Sequence, residues 1–431
     1  MSSQTQVQPK KRWKVRYTVL LVLWFCWLLS FLDRMVITIA LPFIGEDLNL
    51  NATSQGLLLS MFFAGYALFQ IPGGMLSDKF GFRRVVAVAI SWWSVFTSLT
   101  GLMFSYPLLL TIRFVFGLGE ACLPGGSYKA LATYFPSKER GTATGIQSTV
   151  NTLGPALASI VAAAIIGIFG WRAVFIVMGI PGLFAGMYIW FKFRDNPKDH
   201  PKITKEEIAE LEEDQAANPA EKKKSNVSFK QLLSQPILWQ MAFIWFFFDI
   251  TFWGFTSWLP SYLINEKGLS LINTGIFSAL PYLVGTVAIV LGGFISDRMK
   301  GNRKWVFVPN AIIGGVALFL MFQASSLTMV IIYQCIAAFF MFLAQGGFWA
   351  LVVDALPAKI MASGSATVNC FGSIAGFISP FLMGYMIDMS GSFESSFMMM
   401  VTALIIAAVI ALTIKGKRKE EPVSLDLQKE A

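Results

Sequence analysis

Five ionisable side chains interrupt long apolar stretches of this chain: Asp33, Arg34, Arg113, Glu120 and Asp249. An ionised group in hydrocarbon is costly, so each one marks a place where chemistry is expected. Arg34 lies 18 residues beyond Arg16 and 8 before Pro42. Arg113 lies 6 residues beyond Pro107, on a segment running the other way, so the two stand at similar depth. Two guanidiniums held away from water need an anion. Arg binds carboxylates through two parallel hydrogen bonds, so a small organic anion fits the pair. The alternative is that internal carboxylates neutralise both.

Asp33 and Glu120 supply those carboxylates. Arg113 and Glu120 are seven residues apart, which puts them on one helix face about two turns apart. A carboxyl that is both buried and beside an Arg feels opposed influences on its protonation, and it changes state when its neighbours move. That is the chemistry of proton coupling; a permanently ionised counter-ion is the other reading. Asp249 sits among Phe246, Phe247, Phe248 and Phe252. Three readings stand for it: a second protonatable site, a partner for a substrate amine, or a protonated acid hydrogen-bonded to the next helix.

These residues need membrane helices to position them. Of 431 residues, 55% are hydrophobic and only 14% charged, with a mean hydropathy of +0.61. A soluble domain carries about a quarter charged residues. Between Trp305 and Val353 there is no charge at all, more than the roughly 20 apolar residues that span a bilayer. The predicted spans are 17–41, 54–76, 84–104, 107–129, 140–166, 171–192, 236–262, 272–295, 305–323, 326–350, 360–387 and 393–414. The first is too long for a cleaved signal peptide.

Basic residues orient this all-α membrane protein. Lys and Arg crowd the N-terminus, alternate junctions, the central loop and the tail, while the opposite loops hold only Arg172 and Lys267. Positive charge marks the cytoplasmic side, so both termini are expected there, in the cell (plasma or inner) membrane. The net charge of +9 reflects topology and anionic lipid, with no nucleic-acid partner expected. The expected organisation is a cytoplasmic N-terminus 1–16, a six-helix bundle 17–192, a central loop 193–235, a second bundle 236–414 and a tail 415–431. Thr204 and Glu207 form a capping-box pattern in that loop, so Ile203–Asp214 reads either as a short surface helix or as a solvated acidic stretch.

The second half repeats the first. Gly73, Gly74 and Asp78 recur as Gly292, Gly293 and Asp297, each offset by 219 residues. Paired glycines let helices approach closely. Asp78 at a helix end can meet the basic residues beside it or a neighbouring helix N-terminus. With Gly81, Arg83, Arg84 and Arg298, these residues could latch one conformation. Two such halves around a midplane site form a known transporter plan.

The stretch from Gly73 to Arg84, GG-x-x-x-D-x-x-G-x-R-R, resembles the signature of the major facilitator superfamily. More narrowly, several stretches resemble the anion:cation symporter family. They are Asp33-Arg34, Tyr66 with Gln70-Ile71-Pro72-Gly73-Gly74, Arg113 with Gly117-x-x-Glu120-Ala121, Trp258-Leu259-Pro260-x-Tyr262-Leu263, Glu266-Lys267-Gly268, Trp349 eight before Pro357, and Asn369. That resemblance implies proton-coupled uptake of sugar acids such as galactonate, glucarate and hexuronates, or of other carboxylates. It implies that Asp33 and Glu120 couple protons and that Arg34 and Arg113 serve the substrate carboxylate. Tyr66, Asn151, Trp349 and Asn369 would line the cavity. Phe31, Asn151 and Gly346 replace the tyrosine, glutamine and serine usual in the sugar-acid branch, which favours a more apolar, even aromatic, carboxylate.

Protons serve as the coupling ion, no cofactor or metal is expected, and the chain is expected to work as a monomer in the bilayer. One histidine, His200, lies in a polar stretch, and the four cysteines sit in apolar segments as small core residues. Trp24, Trp27, Trp92, Trp93 and Trp171 read as lipid-facing or packing residues. No catalytic or nucleotide-binding set is present, so an enzyme is not expected. Gly154-Pro155 gives a helix kink rather than an antiporter motif, which disfavours the rival reading of a proton antiporter. Asn51-Ala52-Thr53 is an N-glycosylation sequon, meaningful only in a secretory route.

Overall fold

The computed structural model describes residues 13–217, 233–299, 302–356 and 361–414. The expected tail 415–431, most of the stretch 1–16 and Pro357 lie outside the described residues. Among those described, every regular element is a helix.

The first half comprises α1 (Val15–Asp47), α2 (Ala52–Phe80), α3 (Phe82–Thr100), α4 (Tyr106–Glu120), α5 (Leu123–Tyr134), α6 (Ser137–Ser148), α7 (Val150–Phe169) and α8 (Trp171–Lys192). A short helix α9 (Lys205–Ala217) follows in the central loop. The second half comprises α10 (Pro236–Asn265), α11 (Leu271–Arg298), α12 (Lys304–Gln323), α13 (Leu327–Ala355), α14 (Met361–Ser390) and α15 (Glu394–Leu412).

Among the described residues eleven segments are long and apolar enough to cross a membrane, one fewer than the twelve expected. The third predicted span, 84–104, is the helix α3, which is not among them. Arg83, Arg84 and a run of Ser and Thr from Ser91 to Thr100 dilute its apolar character. It nonetheless packs against α4 and α8 within the bundle.

Two predicted spans are each broken in two. The fourth stops at Glu120 and resumes at Leu123, and the fifth breaks at Thr149. Proline explains the first: Pro124 has no N–H to bond the carbonyl of Glu120, four residues back. Pro155 lies inside α7, six residues past the break at Thr149.

The sequence repeat is a structural repeat. In the first half α2 packs on α4, α3 on α8, and α1 on α7 and α8; in the second α11 packs on α13, α12 on α15, and α10 on α14 and α15. The paired glycines sit at matching contacts. A Cβ on Gly73 would fall 2.9 Å from Cys122 Cα, and one on Gly292 would fall 2.4 Å from the Leu343 carbonyl oxygen. Gly81 joins α2 to α3 with φ +85°, and a side chain there would also strike Asp195. That backbone region is open to glycine at no cost.

The halves meet chiefly through α2 with α14, α7 with α11, and α1 with α10. At the Asn51 end the fit is close: a Cβ on Gly56 would fall 2.3 Å from the Pro380 carbonyl oxygen, and one on Gly384 would fall 2.2 Å from that of Ala52. Asp388 of α14 accepts from the Ala52 and Thr53 N–H groups at 3.0 and 2.8 Å, capping α2 from across the interface. Within the sequon, Asn51 caps the same helix by accepting from Ser54 N–H at 2.9 Å.

The central loop forms the helix rather than a solvated stretch. Thr204 and Glu207 close the capping box reciprocally, at 3.3 and 3.2 Å. Its acidic residues tie it to the first half: Glu210 accepts from Lys14 and Arg16 at 2.6 and 2.7 Å, and Asp214 accepts from Ser137. Of the cysteines, Cys26 and Cys122 are buried, whereas Cys335 and Cys370 are only partly so.

Candidate functional site

Four of the five membrane charges come together between α1 and α4. Asp33, Arg34, Arg113 and Glu120 are all buried. The break that Pro124 imposes leaves Glu120 as the last residue of α4, where it faces α1. Arg34 donates to Glu120 Oε1 at 3.0 Å, and Ser30, one turn earlier on α1, donates to the same oxygen. Glu120 Oε2 has no partner.

This divides the two arginines. Arg34 has an internal counter-ion, whereas Arg113 forms no salt bridge among the described residues and its Nε is buried without a partner. Glu120 shares the helix of Arg113 but bonds to Arg34. Asp33 keeps Oδ1 unpartnered. It lies near Thr97 and Trp93 of α3 and within electrostatic reach of Arg113 and Glu120. Trp93, read from sequence as a packing residue, therefore belongs to the surroundings of the site.

Aromatic rings enclose both guanidiniums. Arg34 lies 4.7 Å from the ring centre of Phe62, 5.1 Å from Phe31 and 5.2 Å from Tyr66. Arg113 lies 5.5 Å from the same Phe62 ring and 4.8 Å from Phe116. Rings offer a cation their negative faces without neutralising it. Phe31 thus stands against the arginine. Across the interface, Trp253 of α10 lies 6.0 Å from Arg34 and packs on Phe63 at 4.6 Å.

The second half brings its own group to α10. Asp249 is buried one turn from Trp245 and one from Trp253. Trp349 packs edge-on to Trp245 at 5.1 Å. Asn369 stands on α14 one turn before Gly372, which touches both Asp249 and Trp245. Asn151, at the start of α7, is exposed and hydrogen-bonds to none of these residues. Its neighbour Thr152 accepts from Thr286 of α11 at 2.8 Å, a link between the halves.

Gly346 belongs elsewhere. A Cβ there would fall 2.7 Å from the Ile289 carbonyl oxygen and 3.1 Å from Gly293 N. It is a helix-contact glycine, packed against the backbone of α11. The remaining motif residues lie at the far ends of α2 and α11. Asp78 pairs with Lys129 of α5 at 3.5 Å, not with the basic residues beside it. Arg83 instead donates to the Trp190 carbonyl at 2.9 Å. Arg84 lines an apolar groove of about 580 Å³ on the outer face, bounded by Leu76, Val88, Trp92 and Leu118, whose lining includes none of the buried charges. Arg298 lies over Phe294, and Asp297 lies 3.7 Å from Arg303.

Ser30, Phe62, Trp245 and Trp253 were not singled out in the sequence. Ser30 and Trp253 each sit four residues from a membrane charge, the spacing of neighbours on a helix face. Phe62 carries no such signal; only the fold brings it between two arginines. Arg303 joins Asp297, Asp354 at 2.9 Å and the Ala350 carbonyl at 3.0 Å.

The sequence matches the Major Facilitator Superfamily over residues 23–380. It is 30% identical to the probable galactarate/D-glucarate transporter GarP of Escherichia coli K12, over 100% of both chains. It is 30% identical to the hexuronate transporter of Bacillus subtilis, covering 95% of this chain and 99% of that one. It is 32% identical to the probable sulfoacetate transporter SauU of Cupriavidus necator, covering 94% and 95%. A crystal structure of a bacterial homologue of the human lysosomal transporter Spinster, inward-facing and occupied, superposes with a TM-score of 0.76 at 22% identity, over 92% of this chain and 96% of that one. That likeness shows the fold. A match across most of the chain, alongside full-length relatives that are transporters and not enzymes, makes this chain a member of the Major Facilitator Superfamily.

Proposed function

We propose that the chain is a proton-coupled symporter that takes up a small organic anion, a sugar acid or other carboxylate, by alternating access. The observation that carries this reading is Arg113: a buried guanidinium with no ion pair, beside an arginine that has one. A buried cation left unpaired is strongly destabilising, so an anion is the natural occupant. The relatives support the class, since galactarate, glucarate, hexuronate and sulfoacetate all carry carboxylate or sulfonate groups.

Coupling follows from the Arg34–Glu120 contact. While Glu120 is ionised it neutralises Arg34. A proton on Glu120 removes that counter-charge and leaves Arg34 free to share the anion with Arg113. Proton and anion then favour each other's binding, and the linkage is reciprocal. Asp33, close to Arg113, is the second coupling carboxyl. Tyr66, Trp349 and Asn369 bound the site, and Asn151 lies outside the contacts formed in this state.

The tight Asn51 end is the outer end if the basic loops are cytoplasmic, so this state is closed to the outside. The chain acts as a monomer in the cell membrane, with both termini inside. Phe31 and Phe62 beside the arginines favour an aromatic carboxylate as the second reading of the substrate.

The test is uptake into proteoliposomes of D-glucarate, D-glucuronate, sulfoacetate and benzoate, with and without an inward proton gradient. Gradient-driven accumulation of one acid supports the proposal. Uptake of none, or uptake indifferent to pH, sinks it.

A further inference from the structure

The second half contains a buried carboxyl that the coupling described above leaves unused. Asp249 is 5% exposed. Its Oδ2 is pressed onto α14: a Cβ on Gly372 would fall 2.3 Å from Oδ2 and 2.4 Å from Trp245 Nε1. That indole N–H is buried and has no partner. Trp253, one turn further along α10, is the other polar neighbour of the carboxyl.

Among the described residues no cation pairs with Asp249. The neighbours of its carboxyl are Trp245 and Trp253 of α10 and Gly372 of α14; Phe348 and Trp349 of α13 pack on Trp245, and Phe307 of α12 on Phe248, with no charged side chain among them. From α1 comes Arg34, which lies against the Trp253 ring at 6.0 Å and is already paired with Glu120. Glu120, Arg34, Trp253 and Asp249 thus form a line that crosses from the first half to the second.

We propose that Asp249 is a proton-carrying carboxyl of the second half, linked across the interface to the Arg34–Glu120 pair through Trp253. The proposal rests on the reading of the chain as a proton-coupled carrier. An ionised carboxylate without a cation is costly in the membrane interior, and taking up one proton removes the charge without any other partner. A substrate ammonium does not fit the α14 face, where the carboxyl leaves no room for even a methyl group. Asp249 binds a proton when its surroundings are open to one side and returns it when open to the other. Trp253, held by Arg34 on its face, moves whenever Glu120 releases that arginine.

The test has two arms, both on the full chain in lipid bilayers. Infrared spectra of the protein alone, recorded across a pH titration, report the C=O band of protonated carboxyls. Wild type minus Asp249→Asn should contain one titrating carboxyl that wild type minus Glu120→Gln does not. An Asp249→Asn difference with no titrating band overturns the proposal, whether or not any substrate is transported. The second arm uses D-glucarate in vesicles with a pH difference of one unit. Loss of one coupled proton lowers steady-state accumulation about tenfold, and unchanged accumulation in Asp249→Asn overturns the coupling role. If wild type takes up no acid, the function proposed above fails while the infrared result stands. Asp249→Leu, which fills the space without a polar group, separates loss of the proton from loss of folding when both variants are monodisperse.

Discussion

Glu120, at the end of α4, holds Arg34 of α1 at 3.0 Å and leaves Arg113 of its own helix unpaired. Of the two carboxyls in the cluster only Glu120 forms an ion pair, so Arg113 is the guanidinium proposed to meet the substrate. Glu120→Gln keeps the shape and removes the titration. Exchange of substrate across the membrane should persist, while gradient-driven accumulation, about tenfold per proton and pH unit in wild type, should fall to equilibration. Counterflow and accumulation measured on the same vesicles decide it.

Arg113→Lys keeps the charge and loses the planar fork. Hydrogen bonds to charged groups are worth about 1.5–3 kcal/mol, so anion affinity should drop by roughly ten- to a hundredfold. Substrate-dependent thermal stabilisation of the purified protein reads this directly. Unaltered affinity would remove Arg113 from the binding site.

Asp388 clamps the start of α2 through the Ala52 and Thr53 N–H groups. Asp388→Ala removes bonds present only when the Asn51 end is closed, so that end should open more often. A loss of about 1.4 kcal/mol is a tenfold shift in population. Spin labels near the start of α2 and the end of α14 should show a longer-distance population that wild type lacks.

Gly346→Ser tests the role of Gly346 as a spacer between α13 and α11. The added atoms meet backbone 2.7 Å away, and overpacking costs about 1–3 kcal/mol. Tm should fall while the order of preferred acids stays the same. A changed substrate order with unchanged Tm would return Gly346 to the site.

Acid should release α9. Hydrogen bonds from Lys14, then Arg16, hold Glu210 below the usual glutamate range against partial burial. The ionised form makes the contact, so it is complete above the ordinary value of about 4.3 and is lost as pH falls through the lower bound-state value. Hydrogen exchange in Lys205–Ala217 should be slow at neutral pH and rise only below that range. In Glu210→Gln it should be faster than wild type at neutral pH, with Asp214 still accepting from Ser137.

Most of the architecture was legible in the sequence. Apolar runs and the repeated glycine–aspartate stretch depend on local composition, and they gave most of the long helices and the repeat between the halves, α3 being diluted by its Ser and Thr. The membrane charges were equally plain, since a residue such as Arg113 or Asp249 stands out against its neighbours by type alone. Which carboxylate meets which arginine was not legible. Glu120 and Arg113 share a helix face by spacing, yet Pro124 ends the helix at Glu120 and turns the carboxylate toward Arg34, 86 residues earlier in the chain. The same limit explains Gly346, whose role is set by the backbone of α11, and Phe62, which matters only because two distant arginines share its ring. Local order and burial follow from sequence because they depend on each residue and its near neighbours; the pairing of charges follows from the packing of helices, and only the tertiary structure decided it.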